Sequence, residues 1–321
     1  MHQPAAIRHL TSLADLTPAE TTGLLSLARD LKTTWLRERR ALDLLAGRSL
    51  AMVFTKPSLR TRVSFELAMT QLGGHALYLS PAEVGLGQRE SVADVARVLG
   101  RYADLIMARV FAHADILSLA QHAGVPVING LSDLEHPCQA LADLLTVQEA
   151  AGSLAGRHLA YVGDGNNVAH ALLLGGAQCG MRVTIIHPAG YAPAAAVMTA
   201  ARRFAAQTGG AVEAVSDLAA AEGADVLYTD VWASMGQESE AAGRRAVFLP
   251  YQLNQALLDR AAPGCVVLHC LPAHRGEEIT DPVIDGPNSQ VFAQAENRLH
   301  AQKALLAWLG GARPLGGTDR A

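Results

Sequence analysis

Aromatic and sulfur-bearing residues are scarce in this chain: 5% of its 321 residues are Phe, Trp or Tyr, and only four are cysteines. Four thiols at this length do not make a disulfide framework, and none stands in a C-x-x-C pair. No run approaches the roughly 18 apolar residues a membrane helix needs. The N-terminus MHQPAAIRHLTSLADLT also lacks a charged-then-apolar leader pattern. These absences lead us to expect a cytoplasmic protein with reduced thiols and no membrane partner. Excess basic charge is missing too, because 26 Lys and Arg against 30 Asp and Glu leave a formal charge of -4. That excludes a nucleic-acid footprint, so any anionic ligand has to be held by local arginines.

What the chain has is alternation. Short β-branched runs follow longer helix-period segments almost from end to end, the pattern of parallel α/β architecture. The expected strands are SLAMVF (49–54), HALYLS (75–80), LIMAR (105–109), VPVING (125–130), HLAYVGD, RVTIIHP, AVEAVSD, DVLYTDV and CVVLHC. Between them, Val92, Val95, Ala96 and Leu99 fall at helical spacing, as do Phe65, Ala68, Met69 and Leu72. The length suits two domains of about 150 residues each, hence two sheets. The expected seam is EAAGSLAGRH, where Gly152 and Gly156 interrupt a helix begun at HPCQALADLLTVQ, giving domains 1–150 and 151–295. A last helix, ENRLHAQKALLAWL, stops at Gly310-Gly311, and the tail ARPLGGTDRA is expected to be disordered.

Several stretches could carry chemistry. In FTKPSLRTRVSFE a strand ends, Pro57 turns the chain and a helix begins around Ser58 to Arg60, with Thr61 and Arg62 beside it. Backbone N–H groups and the helix dipole then converge on one spot, which is how a phosphate is held, although a plain Ser-capped helix has the same pattern. Arg109 ends the LIMAR run, and open α/β sheets bind ligands off the carboxyl ends of strands. Pro137 opens a helix, so His136 stands at its positive end, where a neutral imidazole able to donate to a carbonyl is favoured.

In YVGDGNNVAH the pair Gly163 and Gly165 hints at a dinucleotide fingerprint, but Val168 replaces the third glycine and no ribose-binding acid follows. A turn offering Asn166 and Asn167 to a small polar ligand fits better. Asp230 ends a strand and suits an ammonium group, and the stretch from SMGQE to FLPYQLN is long enough for a lid. Cys270, in HCLPAHRGEE, is open to four readings: metal ligand, nucleophile, disulfide half, or small buried residue. No second cysteine or carboxylate group stands at zinc-ligand spacing beside His269, Cys270 and His274, so no metal is expected.

Taken in order, KPSLRTR, HPCQALADLLT, GDGNNVAH, DVWASMGQE, HCLPAHRGEE and QAENRLHAQKA resemble the ornithine carbamoyltransferase family along essentially the whole chain. The resemblance implies two doubly wound parallel-sheet α/β domains, with a C-terminal helix (about 296–321) packing back on the first. It implies transfer of a carbamoyl group from carbamoyl phosphate to the δ-amine of L-ornithine, without a cofactor. Carbamoyl phosphate would meet Ser58, Leu59, Arg60, Thr61, Arg109, His136, Pro137, Cys138, Gln139, Cys270, Leu271 and Arg298. Ornithine would meet Asn167, Asp230, Ser234, Met235 and Cys270. The residues it implies as catalytic are Arg60, Arg109, His136, Asp230, Cys270 and Arg298, and Leu271-Pro272 is a candidate cis peptide.

The resemblance further implies a homotrimer or a multiple of trimers serving arginine biosynthesis. Citrulline phosphorolysis, or transfer to a related amine such as putrescine, are the alternatives. Gly85 departs from the family pattern, in which Gln or His stands there and reaches a neighbouring subunit's site. From the sequence alone, Gly85→Gln is expected to tighten carbamoyl phosphate binding.

Overall fold

The computed structural model describes residues 7–233 and 240–311. All nine expected strands are present: β1 (Ser49–Phe54), β2 (His75–Leu79), β3 (Leu105–Arg109), β4 (Val127–Leu131), β5 (His158–Val162), β6 (Arg182–Ile186), β7 (Ala211–Val215), β8 (Val226–Thr229) and β9 (Val266–His269). They form two wholly parallel sheets, ordered β2-β1-β3-β4 and β7-β6-β5-β8-β9. Helices cover both faces of a parallel sheet, so its central strands read as continuous apolar runs. Every residue of the central strands β3 and β5 is buried, whereas the edge strands β2 and β7 are only partly so.

The described residues fall into two compact units. The first holds those up to Asp15, Gly23–Cys138 and those from Leu299 on; the second holds Leu16–Thr22 and Gln139–Arg298. This division differs from a seam at residue 150, because the helix Pro137–Ala151 is tied into the second unit by its polar residues. Gln294 donates to Asp143, and Asn297 donates to Thr146 and Glu149. The last helix, Val291–Leu309, crosses the division at Arg298/Leu299.

From Leu299 on that helix packs on the first unit. Lys303, 2% exposed, donates to Gln71 Oε1 at 2.9 Å and lies 5.5 Å from the Trp35 ring centroid. Burial pulls the Lys303 amine down to about 8. The folded value lies below the unfolded one, so the protein takes up a proton on unfolding between these pKa values, and stability rises with pH across that window. Lys303→Met is therefore expected to be stabilising relative to wild type by up to about 3 kcal/mol at pH 7, an advantage that shrinks between pH 8 and 10.5. Urea unfolding of both proteins at pH 7 and pH 10.5 checks it; a pH-independent difference would contradict it.

Gly85 ends the short helix Pro81–Val84 in the left-handed conformation, with φ 53°, and a Cβ there would lie 2.9 Å from Arg89 Cβ. Gln at this position would cost about 1–2 kcal/mol of backbone strain, which opposes the tighter ligand binding expected of Gly85→Gln. The stretch expected to be a lid loop contains a helix, Ala241–Phe248, followed by a turn at Leu249–Tyr251. Residues 234–239, including Ser234 and Met235, and the tail 312–321 lie outside the described residues.

Candidate functional site

Each sheet has one place where its strand order reverses: between β1 and β3 in the first, and between β5 and β8 in the second. Connections leave toward opposite faces there, opening a crevice beyond the carboxyl ends of the two strands. Several residues singled out in the sequence stand at the carboxyl ends of these strands or in the turns after them: Ser58 and Arg109 in the first unit, Asn167 and Asp230 in the second.

In the first unit, Phe54 pairs in register with Arg109, and the Thr55 N–H donates to the Arg109 carbonyl at 2.9 Å. The end of β1 and the guanidinium-bearing end of β3 are thus locked side by side. Ser58 is extended, and its Oγ accepts from the Thr61 N–H and donates to the Thr61 hydroxyl at 3.1 Å, which starts the helix Leu59–Gln71. The first turn contains no acidic residue, so its positive end is not neutralised from within. Thr61 and Arg109 are buried, while the Leu59 side chain is exposed and offers the crevice only its backbone.

Lys56, not singled out in the sequence, belongs to this cluster. Its amine is buried 4.5 Å from the Phe111 ring centroid. Burial, then the Arg109 charge, pulls it down to about 8, with Asp133 opposing. Two neighbouring buried cations close to the strand end that leads into this helix are an arrangement suited to an anion.

His136 precedes Pro137 at the start of the next helix, and the loop before it is stapled from within. The Ser132 N–H donates to the Glu135 carbonyl at 3.0 Å, and the Glu135 carboxyl accepts from the Leu13 N–H at 2.7 Å. Burial pushes that carboxyl up to about 7, with Ser12 and Leu13 pulling it down. Cys138 is buried and donates its thiol to the Asn129 carbonyl, so this side chain packs inward.

In the second unit the turn Gly163-Asp164-Gly165 passes so close to Pro193 that a Cβ on Gly165 would lie 2.3 Å from the Pro193 nitrogen. The glycine serves backbone packing, not a dinucleotide. Asn166 caps the helix Asn167–Gln178 through its side-chain oxygen, and its Nδ2 donates to Asp230 Oδ2 at 2.9 Å. Asn166 is therefore a support for Asp230, and Asn167 is the first helical residue beside it. Asp164 pairs with Arg244, which also donates to the Trp232 carbonyl.

Asp230 follows β8, and Cys270 follows the adjacent β9. The Cys270 thiol donates to Asp230 Oδ1 at 2.9 Å, and the Val231 N–H donates to the same oxygen at 2.8 Å. Burial first, then the Asp230 charge and hydrogen bond, push the thiol well above its ordinary value. A protonated thiol is a poor nucleophile and a poor metal ligand. Cys270 is also unpaired with another cysteine, as are Cys138, Cys179 and Cys265. Of the four readings, these observations fit the small buried residue best.

Beyond it, Leu271 has φ 56° and the Leu271–Pro272 peptide bond is cis. The Leu271 N–H donates to His269 Nδ1 at 2.9 Å, so the His269 proton sits on Nε2, 3.0 Å from Glu278 Oε1. Glu278 also accepts from the His274 N–H. The HRGEE stretch, unexplained in the sequence, thus holds the loop that carries Cys270 and Leu271.

Two groups, Asp230 with His269 and Cys270, and His274 with Glu277 and Glu278, have ligand atoms within 4.8 Å of one another. In the first, both His269 ring nitrogens and the thiol proton take part in hydrogen bonds within the protein.

Arg298 is buried in this unit and donates from Nη1 to Gln139 Oε1 at 2.8 Å, while Gln139 Nε2 donates to Asp143 at 2.7 Å. Burial pushes the Asp143 carboxyl up to about 7, with Gln139, Gln294, Tyr228 and the Arg298 charge pulling it down. Taken together, the first unit offers a crevice suited to a phosphate-sized anion. The second offers a carboxylate and a neutral thiol suited to an amine.

Comparison with known proteins agrees with this division of labour. The family described as aspartate/ornithine carbamoyltransferase, carbamoyl-P binding domain, matches residues 8–149, and the Asp/Orn binding domain of the same family matches residues 155–309. The ornithine carbamoyltransferase of Pyrococcus abyssi is 54% identical over 305 residues, covering 95% of this chain and 96% of that protein. The protein of Pyrococcus furiosus named ornithine carbamoyltransferase, anabolic, is likewise 54% identical over 305 residues, with the same coverage. Among solved structures, the ornithine carbamoyltransferase from Pyrococcus furiosus is similar with a TM-score of 0.92 at 53% identity, covering 96% of this chain and 99% of that one. The chain belongs to the aspartate/ornithine carbamoyltransferase family and is a transferase of the carbamoyl-transferring kind.

Proposed function

We propose that this protein transfers the carbamoyl group of carbamoyl phosphate to the δ-amine of L-ornithine, giving L-citrulline and phosphate for arginine biosynthesis in the cytoplasm. The observation that carries the reading is the Asp230 cluster, a buried carboxylate held by Asn166, the Val231 N–H and a neutral thiol. Such a group attracts an amine. A second substrate bearing an extra carboxylate would call for a cation in its place.

The phosphate is held by the Ser58–Thr61 turn, Arg60, Arg109 and Lys56, with Leu59 contributing its N–H. His136, at a helix start whose next residues are Pro137 and Cys138, donates to the carbamoyl oxygen together with Arg298 and Thr61. Gln139 and the Leu271 carbonyl receive the carbamoyl nitrogen. Asn167, with Ser234 and Met235, takes the amino-acid end of ornithine.

Free ornithine carries a protonated δ-amine with a pKa near 10, so the amine has to lose that proton to solvent before it attacks. A C–N bond then forms at the carbamoyl carbon while the C–O bond to phosphate breaks, and the departing phosphate collects a second proton from the nitrogen. Charge developing on the carbamoyl oxygen is met by donors each worth about 3 to 4 kcal/mol. The biosynthetic direction is supported by the anabolic name of a relative 54% identical to this chain. Among the described residues, no helix is long and apolar enough to cross a membrane.

A citrulline assay with purified protein, comparing ornithine with aspartate and putrescine, tests the reading; absence of citrulline would reject it. Cys270→Ser is expected to keep turnover while raising the KM for ornithine roughly 5- to 10-fold, since a hydroxyl also donates to Asp230 but fills less space. Steady-state kinetics check it, and complete loss of activity with a carbamoyl-thioester found in the wild type would contradict it.

The homotrimer is part of the same proposal. Leu59, Val63 and Leu67 are exposed by 75%, 42% and 44% along one stripe of the helix Leu59–Gln71, an apolar face suited to a second copy. Mass in solution is expected at a multiple of three chains, and a monomer would contradict it.

A further inference from the structure

In the second unit each of two buried side-chain amides is gripped at both ends. Gln139 donates from Nε2 to Asp143 Oδ1 at 2.7 Å and accepts at Oε1 from Arg298 Nη1 at 2.8 Å. Gln294 donates from Nε2 to the same Asp143 oxygen at 2.7 Å and to the Tyr228 hydroxyl at 3.1 Å. It accepts at Oε1 from the His269 N–H at 2.9 Å. An amide looks nearly the same when flipped by half a turn, and only its partners fix which end is oxygen. Here the partners leave no choice. A guanidinium and a backbone N–H only donate, so either flip would set donor against donor whatever the protonation of Asp143.

Asp143, fully buried, is the one acceptor shared by both amides. We propose that Asp143 is a positioning residue that locks the Gln139 amide with its oxygen toward the carbamoyl group, and so makes the protein prefer a carbamoyl phosphate to an acyl phosphate bearing a methyl group. The proposal rests on the reading that Gln139 receives the carbamoyl nitrogen. With the amide locked, Gln139 Oε1 keeps a lone pair for the carbamoyl NH2. A methyl group would leave that lone pair and the desolvated Arg298 contact with nothing in return. With Asp143 gone, only the Arg298 contact still holds the Gln139 amide, so its lone pair is held less firmly on the carbamoyl NH2, a loss that a methyl group does not share. Through Gln294 and the His269 N–H, the same carboxylate braces the end of β9, just before Cys270 and Leu271.

The test uses the full chain and three ligands: carbamoyl phosphate as substrate, acetyl phosphate as competitor and inorganic phosphate as control. In Asp143→Leu the ratio of acetyl phosphate Ki to carbamoyl phosphate KM is expected to fall at least about tenfold. The inorganic phosphate Ki, which reports the first unit, is expected to stay within about twofold of wild type on that argument. Asp143→Asn, whose carbonyl still accepts from both amides, is expected to restore most of the preference. Should Asp143→Leu fail to fold, Asp143→Ser carries the same expectations.

An unchanged ratio in a folded variant would overturn the proposal, as would equal losses toward all three ligands, the mark of a purely structural role. A wild-type protein that forms no citrulline would fail the functional reading instead, which keeps the two failures distinct.

Discussion

Replacing Arg109 with Leu is expected to raise the KM for carbamoyl phosphate by on the order of 10²- to 10³-fold, the cost of removing one partner of a buried charge pair. The thermal midpoint of the free protein is expected to stay level or rise. Arg109 is buried beside Lys56, whose amine it helps to pull down to about 8, so removing it relieves a repulsion within the free protein. The Lys56 amine adds a pH signature. Anion binding favours its charged form, so affinity is expected to be fully present below about pH 8 and to fall above it. In Arg109→Leu that fall is expected at higher pH. Steady-state kinetics with carbamoyl phosphate and thermal shift with inorganic phosphate check both expectations. A KM within threefold of wild type would remove Arg109 from the anion site.

Asp230→Asn is expected to lower kcat/KM for ornithine by roughly 10³-fold while leaving the KM for carbamoyl phosphate nearly unchanged, because its buried carboxylate takes three donors. An amide in its place sets an NH2 against either the Asn166 amide or the Cys270 thiol and Val231 N–H. The substitution also carries a second readout at Cys270. The thiol is held up partly by the Asp230 charge, so in Asp230→Asn it is expected to ionise more readily and to alkylate faster near pH 8. Unchanged ornithine kinetics, or a thiol no more reactive than in wild type, would contradict the role of the Asp230–Cys270 pair.

The strands were legible in the sequence because a strand in a parallel sheet is buried on both faces, so SLAMVF and LIMAR announce themselves as unbroken apolar runs. Ser58 and Pro137 were equally legible, since capping is a local matter written in adjacent residues. The seam near residue 150 falls between the two family-domain matches, 8–149 and 155–309, whereas the contacts of the helix before it were not legible. Gly152 and Gly156 mark the end of a helix, but the helix is assigned to its unit by Asp143 and Thr146 bonding to Gln294 and Asn297, far along the chain.

Residues that support the site without touching a ligand were missed in the same way. Asp143, Gln294, Tyr228 and Glu278 look like ordinary polar positions until the fold buries them together. Lys56 was not singled out, although it stands within the KPSLRTR motif. In GDGNN the sequence pointed to a polar turn, but only the fold shows that Asn166 is occupied with Asp230, leaving Asn167 as the residue beside it. The spacing argument against a metal had the same blind spot, because Asp230 reaches His269 and Cys270 through neighbouring strands.

The central claim is direct transfer of a carbamoyl group to an amine, with Cys270 a bystander in contact with Asp230. The most direct measurement follows carbon-13 carbamoyl phosphate mixed with ornithine labelled with nitrogen-15 at the δ position, observed by NMR during a single turnover. The account predicts citrulline with a one-bond carbon–nitrogen coupling and no carbamoyl signal attached to the protein at any time. A carbamoyl-thioester on Cys270 preceding citrulline, or labelled carbamoyl phosphate consumed without any coupled product, would contradict it.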